Sequence, residues 1–293
     1  MQRKTKDDII QGVTDSVLKQ LEQGTVPWLS PYIAQQSING HTYRGINTLV
    51  LNMMASAHDY ASPYWLTSNA VRKREGHIAK GEKGTPIIFN GFNKSDKLDD
   101  QGEEIWYPVF KTWTVFNLDQ CCFDDHSFID WIPHPDQPKQ SEQIIRDYLT
   151  REDIPLTTVA GMASYSPSRD KINCPKPEAL SDPSQYTSTM FHEMAHSTGH
   201  ESRLNREGVT QRDAFGSHRY GVEELIAEMT SAYLCGYTGD SMDCHEQSAA
   251  YISHWYKRIK EDPAILQTAC TEAEKAFQFI LEGEHNMNRK EKE

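Results

Sequence analysis

Two histidines and a glutamate stand at a spacing that suits metal-assisted chemistry, as His192, Glu193 and His196 in the pattern His-Glu-x-x-His. Residues four apart on a helix lie one above the other on the same face, so both imidazoles can bind one ion. The carboxylate between them can then take a proton from a water at that ion. A surface helix with two solvated histidines is the alternative interpretation, and the rest of the sequence has to distinguish the two.

A catalytic zinc site needs a third protein ligand, because three side chains hold the ion and the fourth position is left for water. One known arrangement adds a histidine in the form H-E-x-x-H-x-x-G-x-x-H. Here Gly199 fits the glycine position, but Ser202 stands at the final one. A second arrangement takes a glutamate from the next helix. We predict Glu224 in this role, with Glu223 and His218 as the alternatives.

The helix that carries Glu224 is predicted to be largely buried, because apolar residues such as Leu225, Ile226 and Met229 lie on almost every side of it. A buried carboxylate without a partner is costly, whereas a metal ion or a metal-bound histidine supplies one. We therefore expect Glu228, one turn after Glu224, to accept the second ring N–H of a ligating histidine. This companion helix favours the metal site over two solvated histidines.

Three ligands and an unligated Glu193 predict metal-assisted hydrolysis. The ion acidifies a water and polarises a scissile carbonyl, while Glu193 accepts the water proton and passes it to the leaving amine. Zinc is the expected ion, with another divalent metal such as Mn²⁺ as the alternative. Candidates for stabilising the tetrahedral oxyanion are Tyr165, Tyr220 and His218.

Local sequence patterns predict the elements that position this site. Ser181-Asp182-Pro183 is a helix start signal, and the helix that it opens continues into the histidine pair. The clearest strand is expected over residues 105–116, after a hairpin tip or mobile loop at 94–104. Other helices are expected over residues 5–23, 48–60, 68–76 and 141–151, and short strands over 157–160, 163–166 and 170–173.

The chain is predicted to have an α+β fold with two domains, which its length of 293 residues can accommodate. Residues 132–142 contain three prolines among polar residues and form the expected linker. The first domain then comprises residues 1–131 and the second residues 143–293.

Charge is unevenly distributed along the chain. The formal net charge is -12, yet residues 1–120 contain 13 Lys and Arg against 13 Asp and Glu, so the whole deficit lies in residues 121–293. Two halves with different electrostatics indicate two tasks.

Six cysteines without a C-x-x-C pair indicate reduced thiols. No stretch resembles a membrane span or a signal peptide, and we therefore predict a cytoplasmic protein without a membrane partner.

The first domain combines aromatic rings with a local basic patch. Single-stranded nucleic acid is bound by this combination, since bases stack on the rings and cations follow the backbone, at roughly 1–3 kcal/mol per stacked base. The alternative is that the tryptophans form a core and the lysines are solvated. The rings are Trp28, Tyr32, Tyr43, Tyr64, Trp65, Trp106 and Trp113. The predicted DNA-binding residues are Trp28, Tyr43, Arg44, Asn47, Trp65, Arg72, Lys73, Arg74, Lys80 and Lys83.

Several motifs occur in the order of a known family. In the first half they begin with the run TDSVLKQLEQGTVPW and in the second with Tyr165-Ser166-Pro167. The motifs span residues 14–28, 43–47, 65–67, 80–84, 115–120, 165–170, 192–200, 202–206 and 220–228. Together they resemble the ArdC antirestriction family over nearly the whole chain. The acidic stretch at 96–104 is less typical of that family.

The resemblance implies a single-stranded DNA-binding N-terminal domain and a zincin-like metallopeptidase C-terminal domain. It also implies a plasmid-encoded protein of conjugative elements that protects incoming DNA from host restriction. As metal ligands it implies His192, His196 and one of Glu223 and Glu224, with Glu193 as general base. The alternative function is a single-stranded DNA-binding protein that protects by coating DNA and whose metal site is structural or vestigial. A third is a protease that acts on host restriction subunits.

Overall fold

The computed structural model describes residues 6–29, 33–98, 104–124, 140–180, 185–211, 218–240 and 249–283. Its α-helices are α1 (Lys6–Glu22), α2 (Ile46–Ala57), α3 (Ser68–Lys73), α4 (Ser141–Arg151), α5 (Gln185–Thr198), α6 (Glu207–Thr210), α7 (His218–Thr238), α8 (Ala249–Glu261) and α9 (Ala264–Glu282). Its strands are β1 (Gln36–Ser37), β2 (Tyr64–Thr67), β3 (His77–Ile78), β4 (Thr85–Leu98), β5 (Glu104–Asn117), β6 (Cys121–Cys122), β7 (Leu156–Thr158), β8 (Ser164–Ser166) and β9 (Lys171–Cys174). Helices occur together with mixed and antiparallel sheets, which confirms the predicted α+β class.

The first half is built on a four-stranded sheet in the order β1-β2-β5-β4. Strands β4 and β5 form a long antiparallel hairpin, and β2 pairs antiparallel with β5. Trp65 and Ile87 of this sheet pack against Leu51 of α2. The Asn47 side chain in the first turn of α2 bonds to the backbone of Ile88, at 2.9 Å to its nitrogen and 2.6 Å to its oxygen. Helix α2 is therefore fastened to strand β4.

The second half is centred on helices α5, α7 and α9. Helix α5 packs against α7, and α7 packs against α9. Phe191 and Met194 of α5 and Leu225 and Met229 of α7 are fully buried. A small sheet in the order β7-β9-β8 contacts α5, with β8 at one edge. The edge strand β8 therefore lies beside the helix that carries the histidine pair.

The two halves of the chain share one hydrophobic core. Helix α1 packs against α8, and Val17 and Trp28 belong to the same buried cluster as Trp255 of α8. The Tyr256 hydroxyl donates a hydrogen bond to Glu22 Oε1 at 2.7 Å. The segment from α1 to Trp28 therefore packs on the second half of the chain.

Most predicted elements are present with small shifts of their bounds. Residues 141–142 of the expected linker belong to α4, whereas 132–139 lie outside the described residues. The prediction of a hairpin tip or mobile loop at 94–104 was too wide, because residues 94–98 belong to β4 and residue 104 to β5; residues 99–103 and the helix start signal at 181–183 lie outside the described residues. The predicted domain boundaries stay predictions. In the described part of the chain, no helix combines the length and the apolar character that crossing a membrane requires.

Candidate metal centre

The imidazoles of His192 and His196 and the carboxylate of Glu224 converge between α5 and α7. The two Nε2 atoms are 3.0 Å apart, and each lies 3.6 Å from an oxygen of Glu224. Within the described residues, this is the one cluster of at least three His, Cys, Asp or Glu side chains with ligand atoms this close together. Two nitrogens and one oxygen suit zinc and other divalent transition-metal ions.

Packing between two helices brings these three side chains together. His192 and His196 lie one turn apart on α5, while Met194 and Ala195 of the same helix are fully buried. Helix α7 lies against α5 along the same stretch, and its Ser231 Oγ donates a hydrogen bond at 2.9 Å to the backbone carbonyl of Ser188. Because both helices are held by buried contacts, the candidate ligands face each other across a fixed gap.

Glu193 lines the same cleft as the candidate ligands. The cleft has a volume of about 640 Å³, and its walls come from β8, α5, α6 and α7. Glu193 is 7% exposed, so its carboxylate is largely shielded from bulk water. A general base must lie within reach of the proton that it takes, and this residue lines one open cleft with the two histidines.

Glu223 contacts the far nitrogen of His196, with its Oε1 at 3.2 Å from Nδ1. Both Glu223 oxygens accept hydrogen bonds from the Arg206 guanidinium, at 2.6 and 2.9 Å. Burial alone would raise the pKa of Glu223, but the charge and hydrogen bonds of Arg206 outweigh burial and lower it. An ionised carboxylate only accepts hydrogen bonds, so Nδ1 carries the proton and Nε2 is free to bind an ion.

The electrostatic surroundings of the three ligand atoms favour positive charge. Burial alone would lower the pKa of His196, but its hydrogen bond with Glu223 and the charges of Glu224, Glu223 and Glu193 raise it to about 9. Carboxylates that favour a proton at this position also favour a divalent cation. The residues therefore fit a metal ion in charge as well as in spacing.

Glu228 has different partners from those that the sequence predicted. It was expected to accept the second N–H of a ligating histidine, but at His196 that place belongs to Glu223. The Glu228 carboxylate instead accepts hydrogen bonds from Trp28 Nε1 at 3.2 Å and from the Tyr251 hydroxyl. Burial raises its pKa to about 7. The predicted burial of this helix correctly indicated that Glu228 needs a partner. The sequence around Glu228 does not indicate that the partners are the distant residues Trp28 and Tyr251.

Of the three candidates for oxyanion stabilisation, Tyr165 lines the cleft. Its hydroxyl donates to Asp170 Oδ1 at 2.7 Å and accepts a hydrogen bond from Arg203 at 3.3 Å. Burial and the Asp170 carboxylate raise its pKa. A hydroxyl has one proton to donate, and here that proton goes to Asp170, so this arrangement leaves none for an oxyanion. His218 and Tyr220 lie in the first turn of α7, and their side chains are outside the described part of the chain.

The aromatic residues predicted to stack on bases are core residues. Trp28, Tyr43 and Trp65 are 3%, 8% and 0% exposed. The Trp65 ring nitrogen donates a hydrogen bond at 2.6 Å to Gln35, which is also buried. Rings so enclosed offer no free face to a base, so their placement corrects the stacking role that the sequence predicted.

The polar residues predicted to bind DNA have different environments. Asn47 is engaged with the backbone of Ile88, and half-buried Arg74 donates to Asn39 Oδ1 and the Ala70 carbonyl, both at 3.3 Å. The other five side chains are exposed: Arg44, Arg72, Lys73, Lys80 and Lys83. Their contact with DNA stays a prediction.

Two aromatic residues of the β4–β5 hairpin are exposed: Trp113, one of the rings that the sequence offered for stacking but not one of the predicted DNA-binding residues, and Phe89, which was in neither set. Phe89 is 48% exposed and Trp113 is 51% exposed. Phe89 pairs with Lys111 across the strands, and Ile87 pairs with Trp113. Directly opposed residues share a face of the sheet, so Phe89, Lys111 and Trp113 form one surface, here called the aromatic platform. It borders a groove of about 660 Å³. The sequence signal was Trp113 between two threonines, but how far α2 covers this face of the strand was not evident: Val115, on the same face, is buried against α2, whereas Trp113 is half exposed.

Two family models match this chain. Residues 7–116 match the N-terminal domain of anti-restriction factor ArdC, and residues 142–272 match a zincin-like metallopeptidase. Two proteins called DNA primase TraC, both from Escherichia coli, are 32% and 31% identical over 92% and 95% of this chain. The chain spans 19% and 27% of their lengths. An uncharacterized protein of Sinorhizobium fredii, y4eC, is 26% identical over 98% of this chain and 96% of its own length.

Crystal structures of the antirestriction protein ArdC from plasmid R388 resemble this fold over almost the full length of both chains. The metal-free structure has a TM-score of 0.75 and 32% identity, and covers 95% of this chain and 98% of its own. The Mn(II)-bound structure has a TM-score of 0.74 and 31% identity, and covers 94% and 98%. These likenesses confirm the resemblance drawn from the sequence motifs. The chain belongs to the ArdC antirestriction family.

Proposed function

We propose that this chain protects incoming plasmid DNA from host restriction by means of a metal-dependent peptidase-type site and a surface that binds single-stranded DNA. One observation carries the peptidase part: ligand atoms of His192, His196 and Glu224 lie within 4.8 Å of one another, in a cleft that also contains Glu193. The family model of the second half, a zincin-like metallopeptidase, supports this proposal.

His192, His196 and Glu224 are the residues that would hold the ion. Zinc fits this donor set, and the Mn(II)-bound ArdC of plasmid R388 supports manganese as the alternative. When bound, such an ion polarises a carbonyl and lowers the pKa of a water. Glu193 takes the proton of the attacking water and returns it to the leaving amine. Glu223 keeps the His196 ring oriented.

A Glu193→Ala variant tests the peptidase mechanism. Glu193 is neither a proposed ligand nor part of the aromatic platform, so the variant is expected to bind zinc and single-stranded DNA like the parent. It is expected to lose protection, measured as the transfer of an unmodified plasmid into a restricting host relative to a non-restricting one. Full protection by a variant that still binds zinc and DNA would overturn the peptidase mechanism.

The DNA-coating function is the second candidate, and the aromatic platform favours it. Phe89 and Trp113 are about half exposed on the same face of the hairpin as Lys111, and bases stack on exposed rings whatever their sequence. Protection would then depend on the platform and be independent of Glu193.

A third candidate function is cleavage of host restriction subunits at DNA. It predicts cleaved subunits after incubation with the intact protein and single-stranded DNA.

Binding of DNA by cations has a simple signature in salt. Contacts between phosphates and Lys or Arg release counterions, so the affinity for single strands is expected to fall steadily as salt rises from about 50 to 200 mM. Affinity that stays flat over this range would contradict a role for the exposed cations of the first half, which include Arg72, Lys73, Lys80 and Lys83.

A further inference from the structure

Arg206 is a buried arginine, 6% exposed, just beyond the helix that carries the histidine pair. One side of its guanidinium binds the last turns of α5: Nη1 donates to Thr198 Oγ1 at 2.7 Å and Nη2 to the Ala195 carbonyl at 2.8 Å. Carbonyls at the end of a helix favour a cation, so this position suits a guanidinium. Arg206 is therefore fixed to the same helix as His192 and His196.

The other side of the guanidinium holds Glu223 of α7 in a two-pronged ion pair. Arg206 Nε donates to Oε2 at 2.9 Å and Nη2 to Oε1 at 2.6 Å. Glu223 Oε1 in turn lies 3.2 Å from His196 Nδ1. Two parallel N–H···O bonds fix the carboxylate in position and orientation, which a single bond does not. A continuous chain of contacts thus runs from the end of α5 through Arg206 and Glu223 to His196.

The turn after α5 is shaped around this guanidinium. The backbone N–H of Arg206 donates to the Gly199 carbonyl at 3.0 Å, and Asn205 before it has a positive φ of 48°. A Cβ added at Gly199 would lie 3.0 Å from Arg206 Nη2 and 2.5 Å from Val209 Cγ2. Glycine at 199 and a left-handed residue at 205 together leave room for the arginine.

We propose that Arg206 is a positioning residue that determines which of two adjacent glutamates binds the metal ion. It engages both oxygens of Glu223, and so restricts that carboxylate to orienting His196. Glu224 is then the carboxylate left to face the Nε2 atoms of both histidines, at 3.6 Å from each. Without Arg206, Glu223 is a buried carboxylate that has lost its cation and turns toward the ion instead. This inference rests on the metal site of the proposed function.

The test compares Arg206→Met with the parent in the full-length protein. The metal-free proteins are titrated with zinc against a chromogenic chelator, and the absorption spectrum is recorded after loading with Co(II). We expect zinc affinity to fall by about 10–100-fold, as is usual when an outer partner of a ligand is lost. We also expect an altered Co(II) spectrum, because the carboxylate around the ion changes. The thermal midpoint of each metal-free protein shows whether the variant is still folded, so that a weaker metal site can be told from an unfolded protein.

Arg203→Met is the matched control. Arg203 is a second arginine of the same turn whose side chain is covered, and its guanidinium binds Asp170 and the Ser197 carbonyl. We expect this variant to lose stability but to keep the parental Co(II) spectrum and a zinc affinity within about threefold, since its partners are not ligands.

The double variant Arg206→Met, Glu223→Gln tests the role of Glu223 directly. A glutamine oxygen still accepts the His196 Nδ1 proton and needs no cation, so we expect zinc affinity to recover to that of Glu223→Gln alone. Parental zinc affinity and an unchanged spectrum in Arg206→Met would overturn the inference, as would equal losses in Arg203→Met. A parent protein that binds no zinc would overturn the metal site itself.

Discussion

Glu223 and Glu224 are neighbours in the chain, but their side chains have different partners. Removal of Glu224 is therefore expected to act mainly on zinc affinity, and removal of Glu223 on stability. Glu224→Ala takes away a proposed ligand that is only half-buried. Zinc affinity is expected to fall by more than the roughly 10–100-fold that loss of an outer partner costs. Glu223→Ala leaves the buried Arg206 guanidinium unpaired, so the metal-free protein is expected to lose about 3–5 kcal/mol of stability. Zinc titration and chemical denaturation measure the two effects. The reverse pattern would make Glu223 the ligand.

Trp113 is the residue on which DNA affinity is expected to depend most. Its ring is half exposed on the aromatic platform, and one stacked base contributes about 1–3 kcal/mol. Trp113→Ala is therefore expected to weaken binding of a single-stranded oligonucleotide by about 5–150-fold. Fluorescence anisotropy at fixed salt measures the change. Met162→Ala, which removes an exposed apolar side chain from the second half, is the control, and equal losses in both variants would argue against stacking on Trp113.

At the scale of elements, helix α2 begins against a buried carboxylate from α9. Gly45 at its N-cap position has no side chain for capping, and Glu274 of α9 lies close to the Gly45 backbone N–H. Gln278 Nε2 donates to Glu274 Oε1 at 3.0 Å. Burial raises the pKa of Glu274 to about 7 in spite of these groups and the Arg44 charge. The ionised form is therefore disfavoured in the folded protein.

The raised pKa of Glu274 predicts a pH-dependent effect of Glu274→Gln. Between the unfolded pKa near 4.5 and the folded pKa near 7, the folded state binds more protons, so the contribution of Glu274 to stability falls as pH rises. Glu274→Gln removes that loss. The variant is expected to be more stable than the parent by about 1–3 kcal/mol at pH 8 and to show no gain at pH 4.5.

Thermal midpoints at the two pH values measure this difference. Glu272→Gln on the same helix is the control, because Glu272 pairs with Lys275 near the surface. A parent protein that is more stable than Glu274→Gln at pH 8 would show that the charged carboxylate stabilises the start of α2.

The sequence predicts those features that depend on neighbouring residues, and it does not predict those that depend on packing between distant elements. Helix α1 follows from Ile9, Val13 and Val17 at steps of four, and the histidine pair from a spacing within one turn, because both patterns need only the neighbouring residues. The burial of Trp65 and the exposure of Trp113 depend on where α2 covers the sheet, which spacing along a strand does not reveal. Tertiary placement, rather than residue type, separates these two rings.

At the scale of the whole molecule, the segments that match two family models are packed into one structure. Trp28 belongs to the stretch that matches the ArdC N-terminal domain, but its ring nitrogen binds Glu228 of α7, the helix that carries Glu224. Trp28 also packs edge-on against Trp255 of α8, with ring centroids 6.0 Å apart. The helix pair of the metal site therefore has part of its support in the first 29 residues. Unfolding of the two halves is expected to be coupled for this reason.

Trp28→Phe tests that coupling with a small change of shape. It keeps a large ring in the core but removes the N–H that Glu228 accepts, and loss of a hydrogen bond to a buried carboxyl group costs about 1–3 kcal/mol. We expect one cooperative transition in denaturant, shifted to a lower midpoint, whether unfolding is followed by tryptophan fluorescence or by far-ultraviolet circular dichroism. Trp113→Phe, at an exposed site, is expected to leave the midpoint unchanged. Two separate transitions, of which Trp28→Phe shifts only one, would mean that the halves unfold independently and that Trp28 does not connect them.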